Sequence, residues 1–252
     1  MSPASPEPRV RLDLLLAETG LSPSRARARD SILRGHVRVD GECVTKPGQL
    51  VRADASLALD DPAARYVSRA ALKLVAALDQ FGIDVAGRTA LDVGASTGGF
   101  TEVLLERGAA HVLAIDVGHD QMHPSLKDDP RVSAIEGLNA RELTREHLEN
   151  RAVDLVVCDV SFISMRLALP PALALAERGA DGVFLVKPQF EAGRDAIGKN
   201  GLLRDPSLGA RIAEDMGVWL GETQGWQAHP PIPSPIEGGD GNREYLLVGR
   251  KA

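Results

Sequence analysis

The stretch Ala90-Leu-Asp-Val-Gly-Ala-Ser-Thr-Gly-Gly-Phe100 constrains the fold more than any other part of this 252-residue chain. An apolar run ends in Asp92, turns through Gly94 and enters a helix at Gly98-Gly99-Phe100-Thr101. Glycines at such a turn let the backbone approach a ligand at the carboxyl end of a strand, where open parallel sheets bind their ligands. The spacing is Asp-x-Gly-x-x-x-Gly-Gly rather than the dinucleotide pattern Gly-x-Gly-x-x-Gly. It therefore favours a small ligand bearing an amino acid over a pyrophosphate. Asp92 and the loop Gly94, Ala95, Ser96, Thr97, Gly98, Gly99 and Phe100 are the candidate cofactor-binding residues. About 20 residues on, a second apolar run ends in Asp116, the position of an acid that grips ribose hydroxyls.

Around this motif apolar strands alternate with helical stretches, which predicts an α/β, doubly wound, mostly parallel sheet. The predicted strands are Thr89–Val93, His111–Asp116, Val132–Glu136, 155–159, 182–187 and 244–248, behind an amphipathic helix over 68–81. The fourth strand delivers Asp159 to the carboxyl edge, the fifth delivers Lys187, the last begins with Glu244, and the helix carries Lys73. An apolar strand ending in a charge is the form an active-site residue takes in such a fold. Singly, each charge reads as well as a surface ion pair; four in order toward one edge argue for a site. Cys158 points away from Asp159 on a buried strand and reads as core.

The first 60 residues form a separate unit. Arg11-Leu-Asp-Leu-Leu-Leu-Ala-Glu has helical spacing, with Gly20 placed to end it. Ser22-Pro23-Ser24 restarts a helix that Ser22 is expected to cap, and Arg25 and Arg29 share one of its faces. Two short alternating stretches follow around the hairpin dipeptide Asp40-Gly41. The expected organisation is a disordered lead-in over 1–8, a small α+β domain over 9–60, a linker over 61–67 and the large domain over 68–252.

Net charge is -6, yet it is unevenly spread: Arg9 to Arg52 holds nine Arg/Lys against five Asp/Glu, and the excess acid lies beyond Arg65. Contact with a polyanion is thus expected to begin in the first unit. The Pro/Ser-rich start lacks the basic-then-apolar pattern of a signal peptide, and no apolar run approaches the ~18–20 residues of a spanning helix. Two isolated cysteines make neither a disulfide framework nor a metal-ligand set, so no metal is expected and a reduced, cytoplasmic setting fits. The glycine- and charge-rich segment 193–205 reads as a loop, and His229-Pro-Pro-Ile-Pro-Ser-Pro as a rigid wall beside the site.

The motifs from Asp92 to Phe100 and at Asp116 resemble the first two of the class I S-adenosylmethionine-dependent methyltransferases, with their Rossmann-like domain. That resemblance implies that the glycine loop lies along the methionine part, with Asp92 near its end. It places Asp116 on the ribose and Asn139, after the third strand, near the adenine; Asn139 reads equally as a helix cap. Lys73, Asp159, Lys187 and Glu244 resemble, in type and order, the Lys-Asp-Lys-Glu tetrad of the FtsJ-type ribose 2′-O-methyltransferases. The implied chemistry makes Lys187 the base for a ribose hydroxyl and the other three its orienting network, with Asp159 also beside the cofactor. Arg11-Leu-Asp, Ser24-Arg25 and Ile32-Leu-Arg-Gly-His-Val-Arg-Val-Asp-Gly resemble an S-four-type RNA-binding module, implying that Arg11, Arg25, Arg29, Arg34 and Arg38 face phosphates.

Both halves together resemble the TlyA-type family, historically called hemolysins. The resemblance implies 2′-O-methylation of cytidines in small- and large-subunit ribosomal RNA, with ribosomal RNA or ribosomal subunits as partner. Three rival readings stay open. A base methyltransferase would use Asp159-Val-Ser-Phe162 against a flipped base, but leaves Lys73, Lys187 and Glu244 without a task. A membrane-lysing protein would need an insertion segment, and none stands out. A non-catalytic ribosome-binding protein would need no tetrad.

Overall fold

The computed structural model describes residues 8–238 and 241–252. The lead-in expected to be disordered lies, apart from Pro8, outside the described residues. The chain divides into two compact units, with the break between Arg65 and Tyr66.

The first unit contains β1 (Arg9–Arg11), α1 (Leu12–Glu18), α2 (Arg25–Leu33), β2 (Val37–Val39), β3 (Glu42–Cys43), β4 (Leu50–Arg52) and β5 (Leu57–Leu59). β1 pairs antiparallel with β4, and β2 lies between β3 and β5. Its core joins Leu12, Leu15 and Leu16 of α1 to Ala28 and Ile32 of α2 and to Val37, Val39, Val44 and Val51. Asp40 and Gly41 both take positive φ, 50° and 86°, as the two-residue hairpin demands. One expected cap is corrected. Ser24, not Ser22, caps α2 by accepting from Arg27 N, whereas Ser22 is buried and donates its hydroxyl to the Ser24 carbonyl. Part of the expected linker is structural too: Asp61 is gripped by Arg34, while Val67 N donates to Glu102 within the second unit.

The second unit runs α3 (Ala71–Phe81), β6 (Thr89–Val93), α4 (Gly99–Glu106), β7 (His111–Asp116), α5 (Pro124–Lys127), β8 (Val132–Glu136), β9 (Leu155–Cys158), α6 (Met165–Ala168) and α7 (Pro170–Leu175). It continues through β10 (Asp181–Val186), α8 (Pro188–Glu191), α9 (Leu208–Gln224), β11 (Trp226–Ala228), β12 (Ile232–Pro233) and β13 (Tyr245–Lys251). The sheet order is β11-β13-β10-β9-β6-β7-β8, with β12 also on β13. β8 to β10 are parallel through β7, β6 and β9, and β13 enters antiparallel beside β10. The chain thus winds outward in both directions from β6 and β9, and the crevice at such a switch point is where a doubly wound sheet binds its ligand.

Alternation along β6 feeds two apolar layers. Ala90 packs with Leu74, Leu78, Val103 and Leu104 of α3 and α4, while Leu91 and Val93 pack with Met165, Leu173, Met216 and Leu220 on the other face. α3 starts three residues later than expected, and α9, β1, β11 and β12 were not foreseen. Segment 193–205 holds two short 3-10 turns and a bridge between Ile197 and Leu203. Part of the expected rigid wall forms β12, and the His229 ring packs 5.3 Å from Phe81. Among the described residues no helix is long and apolar enough to cross a membrane.

Candidate active site

β6 ends where it does because Gly94 turns at φ 83°; a Cβ there would stand 3.1 Å from the Asp159 carbonyl and from Val160 Cγ1. The absence of a side chain lets the ends of β6 and β9 close together. Gly98, at φ 95°, then begins α4 against Leu126, which a Cβ would meet at 2.4 Å. Between them the loop is tied to β7. Asp116 accepts from Ser96 N through Oδ2 at 2.8 Å and from Gly118 N through Oδ1 at 2.7 Å.

Asp92 lies beneath this loop, wholly buried, and accepts from Thr101 Oγ1 at 2.7 Å. Its other oxygen has no hydrogen-bond donor among the described residues. Burial pushes its carboxyl up to about 7 against the opposing Thr101 bond, and the neighbouring Asp159 adds to the shift.

A cavity of about 520 Å³ opens beside the loop, lined by Gly94, Ser96, Asp116, Asn139 and Asp159 with apolar Ile115, Leu138 and Val160. A smaller hollow of about 140 Å³ runs along Ala95, Thr97, Gly99 and Phe100 to Lys187, and shares Gly94, Ser96, Asp159 and Ser161 with the first. Apolar walls with Asp116 and Asp159 in the lining fit a nucleoside joined through a sulfonium to an amino-acid tail. Asn139 lines the larger cavity and caps the 3-10 turn Ala140–Glu142, accepting from Arg141 N at 3.1 Å.

The tetrad meets at the same edge. Lys73 donates to Glu244 Oε2 at 2.5 Å, with both side chains buried. Lys187 Nζ stands 2.6 Å from Asp159 Oδ1, close enough for an ion pair but out of line for a hydrogen bond, and donates to Ser161 Oγ at 2.7 Å. Sheet register explains the convergence. Val186 pairs with Tyr245 and Phe184 with Cys158, so Lys187 falls opposite Glu244 on one side and two residues beyond the level of Asp159 on the other. Gly238 makes room for this carboxylate, since a Cβ there would lie 2.7 Å from Glu244 Oε1. Cys158 is fully buried, and burial pushes its thiol up to about 12, so it is no nucleophile.

Sequence reasoning gave no role to Ser161 or to Glu191, which accepts from Ser164 Oγ at 2.6 Å and Met165 N at 2.7 Å. The signal for Ser161 was its place two residues after Asp159; Glu191 offered none. Between them Phe162, 90% exposed at φ 65°, sets its ring 5.3 Å from that of Phe190.

In the first unit the five arginines differ. Arg29 is exposed, and its side chain makes no hydrogen bond or ion pair among the described residues. Arg38 is exposed, and among the described residues its side chain donates to the Gly41 carbonyl alone. Arg11 and Arg25 keep about half their surface while bracing buried Asp13 from two sides. Arg34 is turned inward to Asp30 and Asp61.

Comparison with known proteins agrees with this geometry. The family model described as FtsJ-like methyltransferase matches residues 66–251, and the S4 domain matches residues 10–57. A Mycobacterium tuberculosis protein, 16S/23S rRNA (cytidine-2′-O)-methyltransferase TlyA, is 49% identical over 240 residues, covering 95% of this chain and 89% of that one. Hemolysin A of Brachyspira hyodysenteriae is 38% identical over 237 residues, 94% of this chain and 98% of its own. A solved structure from Streptococcus thermophilus that carries the hemolysin name superposes with a TM-score of 0.75 at 38% identity, covering 97% of this chain and 89% of that one. The chain therefore belongs to the FtsJ-like methyltransferase family, as a TlyA-type member with an S4 domain ahead of the catalytic one.

Proposed function

We propose that the protein methylates the ribose 2′-hydroxyl of cytidine in ribosomal RNA, with S-adenosylmethionine as donor, in the cytoplasm. The observation that carries this reading is the pair of ion pairs, Lys73–Glu244 and Lys187–Asp159, on the edge that also holds the glycine loop and Asp116. When bound, S-adenosylmethionine supplies a methyl group made electrophilic by a sulfonium. Asp116 and Asn139 would hold its nucleoside, and the loop from Gly94 to Phe100 its amino-acid tail. Lys187 faces the acceptor hydroxyl and takes its proton, which solution ribose holds too tightly to release unaided. Asp159 holds Lys187 in place, and the Lys73–Glu244 pair fills the ground behind it without adding net charge. Phe162 offers an exposed ring to a base at the entrance. In the first unit Arg29, Arg38, Arg25 and Arg11 present charge to the RNA backbone, and Arg34 supports the fold that displays them.

The test uses purified protein with methyl-labelled cofactor and, in parallel, small subunits, large subunits and their stripped RNA, followed by nucleoside analysis. Label in 2′-O-methylcytidine, abolished by Lys187→Ala, is the expected result. Label on a base, or equal label with Lys187→Ala, overturns the assignment.

A further inference from the structure

Resting on the reading just given, we infer that Ser161 is the outlet through which Lys187 passes the substrate proton to solvent.

Lys187 is only 8% exposed, because β9, β13 and α8 surround the end of β10. Its titratable surroundings are Asp159 after β9, with Asp92 next to it, and Glu244 before β13, itself paired to Lys73 of α3. Asp92, Glu244 and Lys73 are buried, and Asp159, which lines both cavities, is held in the ion pair with Lys187. Ser161 is neutral and reaches the surface. Its hydroxyl accepts from Lys187 Nζ at 2.7 Å, and the residue is exposed. It also lines both the large cavity and the smaller hollow, so it stands where their contents meet. A hydroxyl has one donor and two acceptor positions, so it can take a proton from one neighbour while giving its own to another.

The reaction needs such an exit. As the 2′-oxygen bonds to the methyl carbon, the carbon–sulfur pair leaves with the sulfur and cancels its positive charge. The electron pair of the O–H bond stays on the oxygen, and the proton goes to Lys187 Nζ. Lys187 then carries a proton it must lose before another turnover. Along the bond already present, Nζ gives a proton to Ser161 Oγ while Ser161 gives its own to water. One proton reaches solvent for each methyl transferred, and Lys187 returns to the amine.

The placement also explains the loop. Phe162 holds a positive φ of 65° directly after Ser161, and Glu191 pins Ser164 and Met165 beyond it. The backbone is thereby bent so that the hydroxyl faces Lys187 while the ring faces out.

The experiment compares wild type, Ser161→Ala and Ser161→Thr on ribosomal subunits with labelled cofactor, across the neutral and alkaline range. Cofactor affinity is measured separately by calorimetric titration. Ser161→Ala is expected to slow turnover roughly 10- to 100-fold, at unchanged cofactor affinity, and to regain rate as small amine or imidazole buffers are raised. Ser161→Thr, which keeps the hydroxyl, is expected to stay near wild type. Wild-type turnover by Ser161→Ala, or a loss that no buffer restores, overturns the relay. Lys187→Ala separates the two levels. If it is silent while Ser161→Ala runs at full rate, only the relay fails; if it keeps full rate, the base assignment itself fails.

Discussion

Lys73 Nζ and Glu244 Oε2 lie 2.5 Å apart although 171 positions separate them in the chain, and both are almost wholly buried. Removing one member strands a charge away from water, at a cost of about 3–5 kcal/mol, whereas replacing both with apolar groups is close to neutral. Lys73→Met and Glu244→Leu are each expected to lower unfolding free energy by about that amount, and the double variant to recover most of it while remaining inactive. Chemical denaturation followed through Trp219 and Trp226 reads this directly. A double variant no more stable than either single one would contradict the pairing.

Asp92 should leave a mark on the pH dependence of stability. Burial holds its carboxyl at about 7 in the folded protein, while an unfolded aspartate titrates near ~3.9. Between those values the folded state binds more protons, so stability falls as pH rises from about 4 to about 7 and then levels. Asp92→Asn is expected to flatten that slope and to melt higher than wild type at about pH 8 in cofactor-free protein. Identical melting profiles for the two proteins would reject a buried protonated Asp92.

Gly94→Ala tests the loop apart from the chemistry. The added methyl meets the Asp159 carbonyl and Val160 Cγ1 at 3.1 Å, on a backbone at φ 83°. A strain of about 1–3 kcal/mol follows, together with parting of the β6 and β9 ends. Cofactor titration is expected to show affinity lost by at least tenfold while circular dichroism stays native. Unchanged affinity would mean that the turn does not shape the binding loop.

The two thiols should behave differently. Cys43 is exposed and Cys158 fully buried with its thiol pushed up to about 12. A colorimetric thiol reagent at neutral pH is expected to react with one cysteine per native chain and with two after denaturation. Cys158→Ala should keep methyl transfer, since a thiolate takes no part; complete loss of transfer in a folded variant would contradict a mechanism without a thiolate.

Arg29, alone among the five arginines in having no side-chain hydrogen bond or ion pair among the described residues, should act only on RNA. Arg29→Ala is expected to leave melting unchanged and to reduce the slope of log affinity against log salt by about one, the signature of a lost phosphate contact. Binding curves on ribosomal subunits at several salt concentrations decide it; an unaltered slope removes Arg29 from the interface.

Much of this was legible beforehand because the parallel strands are continuous apolar runs closed by a charge. β6, β7 and β8 begin and end where the sequence reading put them; Asp116 closes β7, and Asp159 and Lys187 follow directly on β9 and β10. What escaped depends on partners distant in the chain. α9 was hidden by Gly209, Gly217 and Gly221, which weaken a helix in isolation; in the fold Gly209 lies against Tyr245, where a Cβ would approach its hydroxyl to 3.1 Å. Ser22 and Ser24 are alike locally, and only the turning of Ser22 N toward the Leu16 carbonyl leaves capping to Ser24. Ser161 gains its place through a positive φ at Phe162, a feature no propensity of that residue announces.

The position of β13 has a consequence for synthesis. It covers the edge of β10, yet its first residue is made 64 positions after the first of β10. At ~5–20 residues per second, roughly 3–13 s pass on a translating ribosome with that apolar edge open. Lys73 waits through the same interval for its carboxylate. The nascent chain is therefore at its most aggregation-prone just before it becomes competent, and a ribosome that stalls between Val186 and Glu244 would hold out a nearly finished sheet with neither its edge nor its catalytic charge balance in place.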